Sequence, residues 1–199
     1  MKKLAVLLAF FCFLPIGCAT LDLVSNNLST TTEYIIDIDK VSPVGKGTIE
    51  KKVFEDQVIK VTWDLSVDMD RMGFLIKNKT DKTVKIDWNN AAYVDPAGIS
   101  HKVIHEGVKL INKGESQLPS VIVQDSLITD SLTPVDFIRF NSEKTFLRDV
   151  GWETLAVFHQ YSHDDLKGKT FKILLPLIKD NVPQDYLFTF KIYEITTKL

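Results

Sequence analysis

Four histidines occur as two pairs with the same spacing, and imidazole nitrogens are common metal ligands. The first pair is His101 and His105 in HKVIH, and the second is His159 and His163 in HQYSH. Residues four apart share one face of a helix, but on a strand they lie about 13 Å apart, at roughly 3.3 Å per residue. We expect HKVIH to be a strand, so the first pair should not share one metal ion.

Two acids directly follow the second pair, and the four side chains form the best metal-ligand candidate in the sequence: His159, His163, Asp164 and Asp165. Imidazole combined with carboxylate suits zinc, and an irregular stretch of chain could let them converge. Gln160 stands where the His-Glu-x-x-His motif needs its glutamate, so that motif is absent. The prediction is no metal and no other cofactor, with this cluster as the alternative.

Nucleophilic catalysis has no matching motif. A Gly-x-Ser-x-Gly elbow is absent, and the many serines and aspartates lie in predicted turns, where they bond the backbone. The chain has only two cysteines, Cys12 within the apolar N-terminal run and Cys18 just after it. We therefore predict no catalytic residue and no enzymatic activity.

The three tryptophans lead to different expectations. Trp63 and Trp88 occupy the apolar phase of predicted strands, which favours the core. Trp152 follows a glycine in an irregular stretch, where an exposed indole could anchor a partner or stack on a sugar. Trp152 is therefore the candidate binding residue, and a carbohydrate-binding domain is a further alternative.

The elements that must position these side chains are strands. The clearest is 58–67, in which Ile59, Val61 and Trp63 share one face with polar residues opposite. This period of two over nine residues indicates a half-buried strand and excludes an amphipathic helix. The same alternation predicts strands at 34–39, 99–105, 135–140, 170–175 and 186–195.

Turn signals divide the remainder of the chain. Residues 73–78 and 83–88 flank the polar segment 79–82, which predicts a hairpin. Asp-Pro-Ala-Gly at 95–98 predicts a turn, since proline presets φ and glycine accepts a positive φ. The least regular stretch, 141–169, is either a crossover with a short helix or a functional loop.

The N-terminus has the layout of a secretory signal peptide. Lys2 and Lys3 precede the uncharged run 4–14, which is shorter than the about 20 residues of a membrane-spanning helix. Gly17 and Cys18 end this run, and residues 1–18 resemble those of a bacterial lipoprotein. The resemblance implies a signal peptide over 1–17 and a lipid on Cys18; the alternative is an ordinary signal peptide with an incidental cysteine.

A lipid on the first mature residue also implies a location. In the lipoproteins that the chain resembles, an aspartate after the cysteine tends to retain the protein in the inner membrane. Here Ala19 follows, which favours the outer membrane. Residues 18–32, rich in Ser, Thr and Asn, are predicted to form the lipidated N-terminus and a flexible tether, with a short helix near 21–28 as the alternative.

Charge excludes one class of partner. From Cys18 onward the chain has 22 Lys and Arg against 26 Asp and Glu, because Lys2 and Lys3 leave with the signal peptide. No cluster of basic residues stands out, whereas a nucleic-acid-binding domain should show one. We therefore expect no nucleic-acid partner. The membrane contact that we expect is through the N-terminal lipid.

The middle of the chain suggests a fold. FLIKNKTDKTVKIDWNNAAYVDPAG followed by INKGESQ resembles small immunoglobulin-like domains of bacterial lipoproteins, over roughly residues 57–140. This implies an all-β, antiparallel immunoglobulin-like β-sandwich, assigned to residues 33–199, but no particular chemistry. The expected protein is a lipid-anchored envelope module that binds another envelope protein or has a structural role, through loops or a strand edge.

Overall fold

The computed structural model describes residues 31–42, 47–146 and 148–198 of the chain. These residues form an all-β, antiparallel structure, as predicted, with one short α-helix, α1 (His163–Leu166), and two 3₁₀ turns, at Leu110–Asn112 and Val135–Phe137. The predicted signal peptide, Cys18 and residues 19–30 of the predicted tether lie outside the described residues.

Fourteen strands lie within the described part of the chain. They are β1 (Thr31–Ser42), β2 (Thr48–Glu50), β3 (Val53–Glu55), β4 (Ile59–Asp64), β5 (Met72–Asn78), β6 (Val84–Ile86), β7 (Ala92–Val94), β8 (Ser100–His105), β9 (Ser120–Ile122), β10 (Leu127–Pro134), β11 (Ile138–Asn141), β12 (Gly151–Thr154), β13 (Thr170–Lys179) and β14 (Val182–Lys198).

Twelve of these strands form one sheet that nearly closes on itself. The order along it is β1-β14-β13-β7-β8-β10-β5-β4-β3-β2, and β6 and β9 extend from β13. The hairpin of β7 and β8 joins a half built on β13 and β14 to a half built on β4, β5 and β10. The other two strands, β11 and β12, form a separate small sheet; we call residues 138–154 the arm.

The core lies between the two halves and follows the predicted alternation. On β4, Ile59, Val61 and Trp63 are at most 2% exposed, while Thr62 and Asp64 face solvent. From β14, four side chains at alternate positions close the core from the other half: Tyr186, Phe188, Phe190 and Ile192. Trp63 and Trp88 are core residues, as their phase predicts.

The predicted hairpin of 73–78 and 83–88 is wrong. The strand at 72–78 pairs with β4 and β10, whereas β6 pairs with β13 and β9 in the other half of the sheet. Asn78 is the reason, because its buried side-chain amide donates to the carbonyls of Lys82 and Ile122, 2.6 and 3.1 Å away. These bonds hold the polar segment as a corner between the halves.

The turn at 95–98 is confirmed. Gly98 has a φ of 88°, and its N–H donates to the carbonyl of Asp95 over 2.9 Å. The Asp95 carboxylate also accepts from the N–H groups of Ala97 and Ile99, which fixes the register of β7 and β8. The irregular stretch 141–169 contains both a strand, β12, and the one-turn helix α1.

Candidate functional site

The arm displays two aromatic side chains. Phe140 and Trp152 lie directly opposite each other across β11 and β12, with ring centroids 5.5 Å apart in an edge-to-face arrangement. Phe140 is 54% exposed and Trp152 is 38% exposed. Cross-strand aromatic neighbours stabilise a two-stranded sheet, and here they also form a solvent-facing apolar surface.

The loop between the two arm strands adds two exposed apolar side chains. Phe146 is fully exposed and Val150 is half-exposed. The side-chain amide of Asn141 donates to the carbonyls of Glu143 and Asp149, each over 2.9 Å, and so joins the two ends of the loop. The hydrogen bonds of Asn141 therefore fix the base of the loop that carries Phe146 and Val150.

Ion pairs lie on the other face of the arm and in its loop. Glu153 lies between Arg139 and Arg148, with a distance of 3.4 Å from its Oε2 to the Arg148 Nε. Lys144 and Asp149 form another ion pair, at 3.3 Å. Exposed pairs of this kind add little stability. Because successive side chains of a strand point to opposite faces, the pair of Arg139 and Glu153 lies on the face opposite Phe140 and Trp152.

Lys113 connects the arm to the main sheet. Its ammonium group donates to the carbonyls of Val135 and Ile138, at the point where the chain enters β11. The same group lies 5.8 Å from the centre of the Trp152 ring, within cation–π range. Lys113 therefore contacts the indole ring of Trp152, part of which remains exposed. The structure places Trp152, the binding candidate predicted from the sequence, on the surface.

The first histidine pair does lie on a strand, β8, and each member has its own carboxylate. The Nδ1 and Nε2 atoms of buried His101 lie 2.9 Å from Asp136 and 3.5 Å from Asp95. His105 places its Nδ1 3.3 Å from Asp130. The two imidazoles therefore belong to separate polar networks, consistent with their expected spacing.

The His101 network continues to a tyrosine. The Tyr161 hydroxyl donates to the buried carboxylate of Asp95 over 3.2 Å. Burial, and next the charge of Asp95, raise the pKa of Tyr161. Since Asp136 lies two residues before the arm, this chain of contacts joins the base of the arm to the 95–98 turn. The network is not fully hydrogen-bonded, since the buried Nε2 of His101 has no hydrogen-bond partner among the described residues.

The His105 network lies beside two surface clefts of about 520 and 400 Å³, both of which His105 lines. Trp88 stacks on the imidazole at 4.7 Å and donates its indole N–H to the Ser120 hydroxyl. Ser120 in turn donates to Asp130, so the carboxylate stands between the serine and the histidine. A nucleophile needs its base within hydrogen-bond reach, and this order does not provide it.

The second histidine pair and its two acids have separate contacts. The Nδ1 of His159 lies 2.8 Å from the carbonyl oxygen of Ala156. The ring of His163 packs against Tyr34, and Asp165 accepts a hydrogen bond from Ser162 as part of the cap of α1. Asp164 lies in the same first turn. Across the described ranges, no group of three or more His, Cys, Asp or Glu side chains is placed to hold a metal ion.

Several of these residues had no sequence signal. Asp130 and Asp136 lie 25 and 35 residues from the histidines they contact, and no short motif connects them. Phe140 lay inside a predicted strand, but its partner Trp152 did not, so the sequence did not indicate an aromatic pair. The apolar Phe140 stands between the polar residues Arg139 and Asn141, and this alternation indicated a strand with one polar face.

Within the described residues, no helix has the length and apolar character required to cross a membrane. Comparison of the chain with protein-family models, with curated proteins and with solved structures finds no match in any of the three. The arm and the polar networks therefore have to be interpreted from their own geometry.

Proposed function

We propose that this chain is a lipid-anchored protein of the cell envelope whose β domain binds another envelope protein through the arm and catalyses no reaction. The observation that carries the proposal is the exposed aromatic pair of Phe140 and Trp152. Large aromatic side chains supply much of the binding energy of protein interfaces. A monomeric surface has little other reason to expose two of them together, with Phe146 on the adjoining loop.

The anchor rests on the sequence of residues 1–18. A lipid on Cys18 would hold the domain at a membrane, and each buried methylene of the acyl chain contributes about 0.8 kcal/mol to membrane binding. Because Ala19 rather than an aspartate follows, the outer membrane is favoured. Anchoring would confine the arm to a layer in which other envelope proteins are concentrated. Such confinement raises the effective concentration of a partner without any new contact.

An immunoglobulin-like arrangement of the strands is part of the proposal. Its support is the division of the nearly closed sheet into two halves that pack face to face over one core, with corners at Asn78 and at the 95–98 turn. In such sandwiches, loops and strand ends commonly carry the binding contacts. The arm is an extension of this kind.

A carbohydrate ligand is the second candidate, and one observation favours it. The Trp152 ring is exposed and held at its base by Lys113, and an indole fixed in this way can stack on a sugar. A screen of envelope polysaccharides against the wild-type protein and Trp152→Ala tests it. Binding to a glycan that is lost in the variant would replace the protein partner with a carbohydrate.

The intact mass of membrane-extracted protein tests the anchor. We expect the mass of residues 18–199 plus acyl chains, and a Cys18→Ser variant that carries no acyl group. An unmodified wild-type mass together with release into the soluble fraction would contradict the anchor while leaving the arm proposal intact.

In-cell photo-crosslinking tests the arm. A photoreactive amino acid at position 146, which is fully exposed, should give one discrete crosslinked envelope protein. Adding Trp152→Ala should reduce this product about tenfold or more, as expected for the loss of a hot-spot side chain. The matched control is Tyr193→Ala, which removes another exposed aromatic side chain, on β14.

Two results would contradict the arm as a binding surface. One is the absence of a discrete product from position 146 in cells that contain the anchored protein. The other is a product that Trp152→Ala and Tyr193→Ala affect equally, because loss of either ring would then act through general stability.

A further inference from the structure

The arm is a two-stranded sheet, and each of its strands has one edge that faces away from the other strand. Among the described strands, β11 pairs with β12 alone, and β12 pairs with β11 alone. A sheet of two short strands is marginally stable by itself, and an unpaired edge offers its main-chain groups to a further strand. The two outer edges of the arm differ in what contacts them.

A hydrogen bond at the base of the arm shows which main-chain groups of β12 point outward. The Leu155 N–H donates to the Phe137 carbonyl over 2.8 Å, in register with the pairs of β11 and β12. Main-chain groups of alternate residues in an antiparallel strand point to opposite sides. Glu153 therefore directs its groups to β11, whereas Trp152 and Thr154 direct theirs away from it.

The outer edge of β11 is already in contact with the rest of the protein. Its outward groups belong to Ile138, which is buried, and to Phe140, which is exposed. The Ile138 carbonyl accepts a hydrogen bond from the Lys113 ammonium group. A lysine placed on a strand edge is a common means of keeping other strands away. Addition of a strand to β11 is therefore unfavourable.

The outer edge of β12 is open over the residues that the structure describes. Trp152 is 38% exposed and Thr154 is partly exposed. Within the described part of the chain, the main-chain groups of these two residues form no hydrogen bond. Each offers an N–H and a C=O on the same side of a strand of four residues, or roughly 13 Å.

We propose that an extended segment of the partner protein adds to the outer edge of β12 and makes the arm a three-stranded sheet. This proposal rests on the arm being the binding surface and names the way in which the arm binds. Alternating N–H and C=O groups are complementary to another polypeptide strand, which repeats their spacing. Side chains of the added strand would also contact the ring of Trp152, because neighbouring strands pack side by side on each face of a sheet.

The two faces of the arm describe the side chains that this segment should carry. Phe140 and Trp152 lie on one face, so apolar side chains of the segment fit there. On the opposite face, Glu153 contacts both Arg139 and Arg148, which leaves one net positive charge. An acidic side chain on that face is complementary to this charge. The expected segment therefore alternates apolar with polar residues and has an acidic residue among the polar ones.

Amide hydrogen exchange, measured by NMR on residues 18–199 carrying Cys18→Ser, tests the edge. The probe is a capped heptapeptide of alternating valine and threonine, with glutamate at its central position. At about 1 mM peptide, a dissociation constant near 0.1 mM would slow exchange of the Trp152 and Thr154 amides about tenfold. The Phe140 amide points outward on the opposite edge of the arm, and its exchange should not change.

The matched control is the same peptide with every amide N-methylated. It keeps the side chains of the probe, but it has no N–H to donate and its methyl groups prevent close pairing with a strand. It should leave the exchange of the Trp152 and Thr154 amides unchanged.

A variant pair tests the same edge with the natural partner. Thr154→Pro removes an outward N–H without removing a bond to β11, whereas Thr154→Ala retains the N–H. The crosslinked product from position 146 should fall about tenfold or more in Thr154→Pro and persist in Thr154→Ala. If the Trp152 indole signal shows that Thr154→Pro unfolds the arm, the N-methylated peptide still decides.

Three outcomes of the exchange measurement would overturn the proposal. The first is unchanged exchange at both amides with the unmethylated peptide. The second is equal protection by the N-methylated peptide, which would mean that side chains rather than main chain are recognised. The third is slowing of both amides as the protein concentration rises without peptide, because a second copy of the chain would then occupy the edge.

The crosslinking result separates this proposal from the proposed function. A product from position 146 that is equally strong in Thr154→Pro and Thr154→Ala would overturn strand addition and leave the arm as the binding surface. The absence of any product would instead contradict the arm as the binding surface.

Discussion

The arm and the groove between β1 and the strands β2 to β4, which we call the seam, each contain one tryptophan, and the surroundings of the two rings differ. Trp63 at the seam is 2% exposed and lies 5.1 Å from the rings of both Phe74 and Phe188. Trp152 on the arm is 38% exposed, and its ring neighbours are Phe140 and the Lys113 ammonium. The first indole stabilises the core, whereas the second remains available to a partner.

The two rings lie in different kinds of surroundings. The arm presents aromatic side chains on a small sheet whose strands already pair with each other. At the seam, residues such as Ile36 and Trp63 are buried in the core. Substitutions of side chains should therefore reduce binding at the arm, while at the seam they should mainly reduce stability.

The largest expected effect is on the seam tryptophan. Trp63→Ala removes a buried ring from the core and should lower the free energy of unfolding by about 3–5 kcal/mol. Trp152→Ala removes an exposed ring and should cost less than about 1 kcal/mol. Urea denaturation of both variants measures the difference, and equal losses would show that the arm is part of the cooperative core.

A smaller loss is expected from a glycine beside the seam. A side chain at Gly47 would collide with the ring of Phe54, which is 6% exposed and cannot move into solvent. Gly47→Ala should therefore lower the free energy of unfolding by about 1–3 kcal/mol. Gly114→Ala is the control, because no atom lies within 4 Å of its added carbon. Equal stability of the two variants would show that the β2–β3 hairpin adapts freely.

High pH should weaken the main sheet and not the arm. Burial, followed by the hydrogen bond from its hydroxyl to Asp56, raises the pKa of Tyr186 above the usual 10.0. A folded-state pKa above the unfolded value gives stability that is complete below about pH 10 and declines as the pH rises further. Urea denaturation from pH 8 to pH 11 should show this decline, and Tyr186→Phe should make it shallower.

The corresponding readout for the arm is the Trp152 environment. Its indole NMR signal should keep its position from pH 8 to about pH 9, below the range in which lysine ammonium groups ordinarily titrate, since Lys113 has no tyrosine among its hydrogen-bond partners. A decline in stability that Tyr186→Phe leaves unchanged would assign the effect to other groups. Burial also raises the pKa of Tyr93, which makes Tyr93→Phe the next variant to measure.

The smallest expected effect is at the base of the arm. Lys113→Ala removes two hydrogen bonds to carbonyls and the contact with Trp152, and should cost about 1 kcal/mol. It should also speed amide exchange in β11 and β12. Lys191→Ala is the control, since Lys191 lies over the ring of Tyr193 and not over the arm. Unchanged exchange in the arm would mean that strand pairing alone holds it.

Sequence patterns predicted the strands well where one face is buried along a whole strand. The alternation around Trp63 and that around Phe188 both specify which side chains enter the core, because the period of a strand is two. The same reasoning missed the short strands β2, β3, β9 and β12, in which three or four residues do not establish a period. It also paired 73–78 with 83–88, because a polar segment between two strands is compatible with both a hairpin and a corner.

For the candidate sites, the types of residue in the sequence were informative, but the sequence did not show which side chains contact one another. The sequence singled out Trp152 and all four histidines, but it could not indicate that Asp136 approaches His101 or that Asp130 approaches His105. Those contacts depend on the order of strands in the sheet. The lipid on Cys18 stays a prediction from the N-terminal sequence, to be tested by mass.

By itself the sequence determined the all-β class, the buried face of its long strands and the tight turn at 95–98, since each depends on residues close in the chain. Only the tertiary structure decided that Asn78 turns the chain between the halves, that Phe140 meets Trp152 on a separate arm, and that β1 pairs with the distant strand β14. The physical reason is that strand pairing joins distant residues through main-chain bonds, which are the same for every residue except proline.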